Sequence, residues 1–416
     1  MHILFLTDNF PPEVNAPASR TFEHCREWVR AGERVTVITC APNFPRGKVF
    51  GGYRNRLWQS EMIDGVRVIR VWSYITANEG FARRIADYVS YAVAATLAAP
   101  FVRKADIVIG TSPQFFTACA AYATSRLKRV PFVFELRDIW PESIRAVGAM
   151  KQSRVLDWLE TLELFLYRKA ALVVSVTNSF RDNLASRGID PGKVKVITNG
   201  VDVSRFKPLA KDAALSRELG FDGKFVAGYI GTHGMAHALE TILDAAEHLR
   251  SQPGGDVYRF LLLGDGARKQ ELKADAARRG LDNVVFVDSV SKDDVVRYWS
   301  LLDASIIHLK KSDLFTTVIP SKLFECMGMG IPVLMGVEGE SAGIVERTEV
   351  GLLFEPENAD ALCAALTRLA ADQDLRLRLS ANGQTAAISY DRSTLAMEML
   401  AQLRLLAMPA GRTGSN

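Results

Sequence analysis

A lysine and a glutamate three residues apart, behind a Pro-Ser pair, carry the densest chemistry in the sequence: Thr316-Thr317-Val318-Ile319-Pro320-Ser321-Lys322-Leu323-Phe324-Glu325. Pro320 and Ser321 open helices well and leave backbone N–H groups free at that end. Lys322 stands in the first turn, where the helix dipole favours acids, so a bound diphosphate would suit its charge. The two oxygens of Glu325, on a neighbouring face, can accept both hydroxyls of a ribose. An ordinary helix start with an i,i+3 Lys–Glu pair is the plain structural alternative. Gly328 and Gly330 end the helix before a strand at Pro332. Thr317 and Ile319 put backbone groups beside the same ligand.

Four further loops are candidates for ligand contact. Gly231-Thr232-His233-Gly234 follows a strand, and its glycines let backbone approach a phosphate, with a helix from about Ala238 pointing its positive end there. His233 could donate to the phosphate, although a loop histidine is more often solvated. Asp288-Ser289-Val290, after Val284–Val287, lies where backbone could read a nucleobase, while Asp265 reads as a helix cap. Arg137 and Asp138 leave the apolar run Phe132–Leu136, an unusual charge load for a structural turn; a salt bridge between them is the alternative. Asp8 to Pro17, rich in proline, is either a stiff turn or a substrate-facing loop. It lacks glycine, so the dinucleotide fingerprint is absent where a dehydrogenase needs it. Asn199-Gly200 reads as a turn.

Positioning these residues requires strands that alternate with helices. Strands are expected at Ile3–Thr7, Arg34–Thr39, Val66–Val71, Ile107–Gly110, Phe132–Leu136, Leu172–Val176 and Val194–Thr198. A second series covers Phe225–Tyr229, Arg259–Leu263, Val284–Val287, Ala304–Ile307 and Pro332–Met335. Helical periodicity between them predicts an α/β protein with two doubly wound parallel sheets, whose ligands bind beyond the strands' carboxyl ends. The chain has 416 residues, enough for two domains. Residues 1–207 form the first, joined by a helix at about 390–408, and residues 208–389 the second; 409–416 read as a flexible tail.

Net charge is +4, from 51 basic and 47 acidic residues, too small an excess to imply nucleic-acid binding. The five cysteines are scattered and form no metal or disulfide pattern, which suits a reducing compartment. With neither signal peptide nor spanning segment, a cytoplasmic protein is expected. Arg83, Arg84, Arg103 and Lys104 flank an apolar helix over 82–102, which is either a buried crossover or a peripheral contact with anionic membrane.

Together, Pro11-Pro12-Glu13, Arg137-Asp138-Ile139-Trp140-Pro141, Asn199-Gly200-Val201-Asp202, Pro320-Ser321-Lys322-x-x-Glu325 and Gly351-Leu352-Leu353-Phe354 resemble the retaining glycosyltransferases of family 4. Within that family they look most like the enzymes of bacterial O-antigen, colanic acid and capsule synthesis, fucosyl- and N-acetylfucosaminyl-transferases included. The resemblance implies the GT-B fold, with two Rossmann-like domains facing a cleft and a C-terminal helix crossing back to the first. It implies a nucleotide-sugar donor in the second domain, an acceptor in the first, and no metal or other cofactor. UDP is favoured over GDP, and the acceptor is a saccharide, including one linked to polyprenyl diphosphate. Two departures stand out. The family's E-x7-E pair keeps Glu325 but has Thr317 at the first position, and its arginine and lysine after the first strand become Thr232 and about His237. Arg137 replaces the family's histidine near the sugar, and Asp138 is kept. A nucleotide-sugar epimerase or phosphorylase, or a catalytically silent carbohydrate-binding subunit, remain rivals.

Overall fold

The computed structural model describes residues 1–44, 46–76, 81–139, 154–291 and 293–407. Trp140, Pro141, Glu142 and the tail therefore lie outside the described residues. The chain divides into two compact units: Met1–Thr198 with everything from Arg392 onward, and Asn199–Asp391.

The first unit is built on a sheet of eight strands among the described residues. They are β1 His2–Leu6, β2 Arg34–Cys40, β3 Trp58–Ile63, β4 Val66–Val71, β5 Ile107–Thr111, β6 Phe132–Leu136, β7 Leu172–Ser175 and β8 Val194–Val196. Their order is β3-β4-β2-β1-β5-β6-β7-β8, parallel throughout except for β3, which runs antiparallel to β4. β1 is central because its five residues are buried on both faces, as parallel strands covered by helices must be. No strand was expected at β3, where Trp-Gln-Ser-Glu-Met-Ile alternates half-buried with exposed residues, the pattern of a sheet edge. Helix Arg392–Ala407 lies on helix Ala16–Arg30, with Met399, Leu400 and Leu403 wholly buried and Trp28 Nε1 donating to the Ala396 carbonyl at 2.8 Å. The expected return of the C-terminal helix is thus present within this unit.

Side chains fix the loops that leave this sheet. Glu13 Oε1 accepts the Asn43 and Phe44 amides, each at 2.8 Å, and its Oε2 accepts the Phe10 amide at 3.1 Å. Buried Arg70 donates to the Pro11 and Cys40 carbonyls. The Pro-Pro-Glu turn is therefore held from both sides, and the Glu13 carboxylate serves structure.

The second unit is a wholly parallel sheet of β9 Phe225–Ile230, β10 Tyr258–Leu263, β11 Val284–Val287, β12 Ala304–His308, β13 Val333–Gly336 and β14 Gly351–Leu353, ordered β11-β10-β9-β12-β13-β14. The order reverses direction at β9 and β12, the switch point at which loops of such sheets receive ligands. Apolar clusters cover both faces, one centred on Phe324, Met327 and Trp299, the other on Phe260, Leu243 and Leu366.

Candidate active site

Backbone contacts in the second unit weld the loops after β9 and β10 together. Gly231 N donates to the Leu263 carbonyl at 2.9 Å, His233 N to Asp265 at 2.9 Å, and Arg268 N back to His233 at 3.0 Å. Gly264 has φ +147°, and a Cβ there would sit 1.9 Å from the Gly231 oxygen; at Gly266 it would sit 2.5 Å from the His233 oxygen. Neither loop tolerates a side chain at these points. Gly264→Ala should therefore cost more than about 4 kcal/mol or displace the 231–234 loop, a loss that chemical denaturation would measure; an unchanged midpoint would refute this packing.

Asp265 does not cap the following helix as expected, because its Oδ1 accepts the adjacent Gly266 amide and helix Lys269–Arg278 has no side-chain cap. The helix expected from about Ala238 is present, and it starts two residues beyond Ala238. That residue is left-handed (φ 42°), after a short 3-10 turn at Met235–His237, and the helix is Glu240–Arg250. With an acid in its first turn, this helix is less suited to an anion than the sequence suggested. Buried Lys269 ties β10 to β11, donating to the Gly264 carbonyl at 2.6 Å, Val287 at 3.0 Å and Asp288 Oδ1 at 2.6 Å. The Asp288 carboxylate is thereby engaged and held below its usual range; Ser289 beside it is exposed and Val290 half-buried.

Helix Lys322–Met329 begins one residue after Ser321, which has helical backbone (φ −58°) and makes no side-chain cap. Leu323 N donates to Pro320 O and Phe324 N to Ser321 O, while among the described residues the Ser321 and Lys322 amides meet no backbone carbonyl. Thr317 closes the preceding turn through Oγ1 to Leu314 O at 3.1 Å, and Ile319 is buried. Lys322 Nζ lies 3.6 Å from the centroid of the Tyr229 ring and is buried with no hydrogen-bond partner. Burial pushes this ammonium down to about 7, against the opposing pull of Cys326 and Glu325. A Cβ on Gly231 would fall 2.7 Å from Nζ, so glycine at that position is what admits the lysine.

Two histidines share this spot. His233, expected to be solvated, is instead wholly buried, its ring 6.0 Å from Tyr229 and 6.4 Å from Phe286, with both nitrogens unpartnered. His237 lies 5.7 Å from the same tyrosine with Nδ1 unpartnered. Burial, with Lys322 nearby, pushes each down to about 4; Lys269 adds to the effect on His233. His308 accepts the Glu357 amide at Nε2, so its Nδ1 carries the proton and donates to the His237 carbonyl at 2.9 Å. Buried polar groups are normally paired. Here Lys322 Nζ, both His233 nitrogens and His237 Nδ1 gather around one tyrosine without partners, and an anion would satisfy such donors. Tyr229 is the residue sequence reasoning missed; a tyrosine two residues before Gly231 was the available signal.

In the first unit, β6 ends beneath Arg137 and Asp138. Both amides are received by Ser112 Oγ, at 2.7 and 3.2 Å. Arg137 makes no ion pair with Asp138 among the described residues; its Nη1 is buried and unpartnered, and burial lowers the guanidinium to about 10. A cavity of about 300 Å³ in the same unit is lined by Asp8, Asn9, Asn15, Asp87, Tyr88 and Gln114, among others. Burial and the neighbouring Asp8 push the Asp87 carboxyl up to about 7. Amides, hydroxyls and carboxyls of this kind suit a polyhydroxylated ring.

Two doubly wound, mainly parallel sheets, one in each compact unit, define a two-domain α/β protein. Residues 15–200 match the glycosyl transferase 4-like domain and residues 212–386 match glycosyl transferases group 1. The chain belongs to the retaining family 4 glycosyltransferases with the GT-B fold, and it is an enzyme of that class. It is 26% identical over 380 residues to a protein named as a colanic acid biosynthesis glycosyl transferase, WcaI of Escherichia coli (strain K12), covering 88% of this chain and 91% of that one. A GDP-mannose-dependent alpha-mannosyltransferase of Mycolicibacterium smegmatis is 24% identical, with 90% of each chain covered. Among solved structures, Anabaena Alr3699/HepE in complex with UDP and glucose superimposes with a TM-score of 0.70 at 19% identity, covering 98% of this chain and 100% of that one.

Proposed function

We propose that this glycosyltransferase moves a hexosyl or amino-deoxyhexosyl group from a nucleoside diphosphate sugar to a saccharide acceptor carried on polyprenyl diphosphate, in bacterial surface polysaccharide synthesis. The observation that carries this reading is the buried, unpartnered Lys322 ammonium. It sits at a helix start beside a glycine loop, where a diphosphate would receive it. UDP is the favoured nucleotide and GDP the alternative, since HepE is solved with UDP while named relatives depend on GDP-mannose.

Residues 208–389 would hold the donor and residues 1–207 the acceptor. Glu325 takes the ribose hydroxyls, and Asp288, Ser289 and Val290 border the base. Gly231, Thr232, His233, Gly234, Ser321 and Lys322 face the diphosphate. Thr317 and Ile319 offer backbone groups to the sugar, and the catalytic roles in the first unit fall to Arg137 and Asp138. The acceptor oxygen attacks the anomeric carbon on the face from which the diphosphate departs, so configuration is retained. As the bond to the diphosphate breaks, its leaving oxygen takes the acceptor's proton. Lys322 stabilises the charge growing there, the electrostatic part of catalysis. A lipid-linked acceptor places the reaction at the cytoplasmic face of a membrane.

Thermal unfolding against UDP, GDP and their sugars tests the donor assignment. A ligand at a hundred times its Kd stabilises by about 2.7 kcal/mol, so UDP should raise the midpoint by several degrees and Lys322→Ala should abolish the rise. If no nucleotide at millimolar concentration shifts the wild-type midpoint, the donor site is misassigned.

A further inference from the structure

Helix Phe81–Ala98 covers the sheet of the first unit with one face. Tyr91, Ala95 and Ala98 are buried, and the Tyr91 hydroxyl reaches the Thr7 and Ile38 carbonyls, each at 2.8 Å. A surface helix ordinarily shows water its charged residues. This one shows Val89, Val93 and Leu97, spaced four apart, and the stripe continues one turn on to Phe101; Val93 is 54% exposed, Leu97 67% and Phe101 72%. Ala86 and Pro100 are also exposed, so the outward face carries no charge from 86 to 101. The helix is thus neither the buried crossover the sequence allowed nor a solvated surface helix.

The apolar area continues onto the sheet edge. Trp58 meets Phe101 edge-on, with ring centroids 6.1 Å apart. It pairs across the ladder with Val71, and Met62 with Arg67, so Trp58 and Met62 share a sheet face; Met62 is 64% exposed. At the other flank, Tyr74 is exposed and its amide donates to Ser90 Oγ on the helix at 2.7 Å. Patches of this extent on a soluble surface mark an interaction site.

Charge identifies the occupant. Exposed cations border the patch: Arg83 and Arg84 in the first turns of the helix, Arg103 and Lys104 just beyond Phe101, Arg56 before Trp58, and Arg67 opposite Met62. Of the nearby acids, Glu61 pairs with Arg70 at 2.6 Å and Asp106 accepts the His2 amide at 2.6 Å, which leaves exposed Asp64 in the turn after β3 against these six cations. Apolar side chains with interleaved aromatics and a basic rim fit the headgroup boundary of an anionic bilayer. No described helix is long and apolar enough to cross a membrane, so the contact is peripheral.

We infer that the face formed by Val89, Val93, Leu97, Phe101 and Trp58 docks this protein on anionic lipid. The inference goes beyond the donor assignment and stands on other residues. The same helix lines the polar cavity through Arg84, Asp87 and Tyr88, so a docked protein would hold that cavity beside the lipid surface.

The test is flotation of the full chain with vesicles of phosphatidylcholine alone or with roughly three-tenths phosphatidylglycerol. Wild type should float at least about tenfold better with the anionic vesicles, and less well as salt rises. Val93→Glu with Leu97→Glu should cut flotation by about tenfold or more, and Arg103→Glu with Lys104→Glu severalfold, while thermal midpoint and UDP binding stay unchanged. Absence of wild-type flotation, or flotation indifferent to Val93→Glu/Leu97→Glu, overturns the inference. A dimer that this pair of substitutions dissociates, without vesicle binding, would also overturn it and assign the face to a second copy. UDP binding is read separately, so failure here leaves the donor assignment standing, and the reverse holds too.

Discussion

Lys322→Met should lower kcat/KM for sugar transfer by about 10²–10³-fold and at the same time make the unliganded protein more stable. The wild-type ammonium lies against Tyr229 with no hydrogen-bond partner, an expensive arrangement unless an anion is bound. Methionine has similar length and no charge, so replacing the lysine removes the cost, by about 1–4 kcal/mol on the scale of buried charges replaced by apolar residues. The pH dependences should diverge as well. Lys322 is pushed down to about 7 in the folded protein, against about 10.4 in an unfolded chain. Between those values the unfolded chain binds the extra proton, so the stability of the unliganded protein rises with pH. Donor binding needs the charged form and must take up a proton above pH 7, so affinity should fall there by up to about tenfold per pH unit. Titration calorimetry with UDP across pH, beside denaturant curves for both proteins, reads all of this. A methionine variant that binds UDP normally, or that is less stable than wild type, would remove Lys322 from the diphosphate site.

The second large effect concerns Arg20, whose Nε meets Glu135 Oε1 at 3.0 Å with both side chains almost wholly buried. Its other nitrogens donate to the Thr198 carbonyl at 2.6 Å and the Ile197 carbonyl at 2.8 Å, pinning the chain just after β8 to the helix that follows β1. Burial alone would raise the Glu135 carboxyl, but the Arg20 and Arg137 guanidiniums outweigh it and hold it below the usual range. Its stabilising contribution is therefore complete above the unfolded carboxylate's pKa and is lost as pH falls through the lower folded value. Arg20→Met should cost about 3–5 kcal/mol, because it leaves Glu135 charged and buried with one cation fewer. Adding Glu135→Leu should recover much of that loss, since an apolar pair needs no partners. Urea unfolding of the single and double variants measures both. A loss below about 1 kcal/mol in the single variant would mean that the pair behaves as a surface contact.

Neither effect could be read from the sequence, although most of the architecture could. Strands β4, β6 and β11 form over the expected residues, because apolar runs between helical stretches have few other folds open to them. β3 was missed because a half-solvated edge strand lacks such a run. Thr317, Ser321, Lys322 and Glu325 were legible as a group, being close in sequence and unusual in type for a helix start. The 231–234 loop was legible only as a glycine pattern. Whether His233 faced water depended on the Phe286 ring, which comes from a strand more than fifty residues further on.

From the sequence alone came the two Rossmann-like halves and the lysine–glutamate helix start. Both rest on residue types within short stretches, where spacing along the chain determines which side chains can meet. Tertiary structure decided the state of the Lys322 ammonium, buried against a tyrosine from another strand. It also joined the glycine loops after β9 and β10 backbone to backbone and turned four apolar residues of helix Phe81–Ala98 and the turn after it toward solvent. Burial and electrostatic environment depend on what packs from distant parts of the chain, and local spacing carries no information about that.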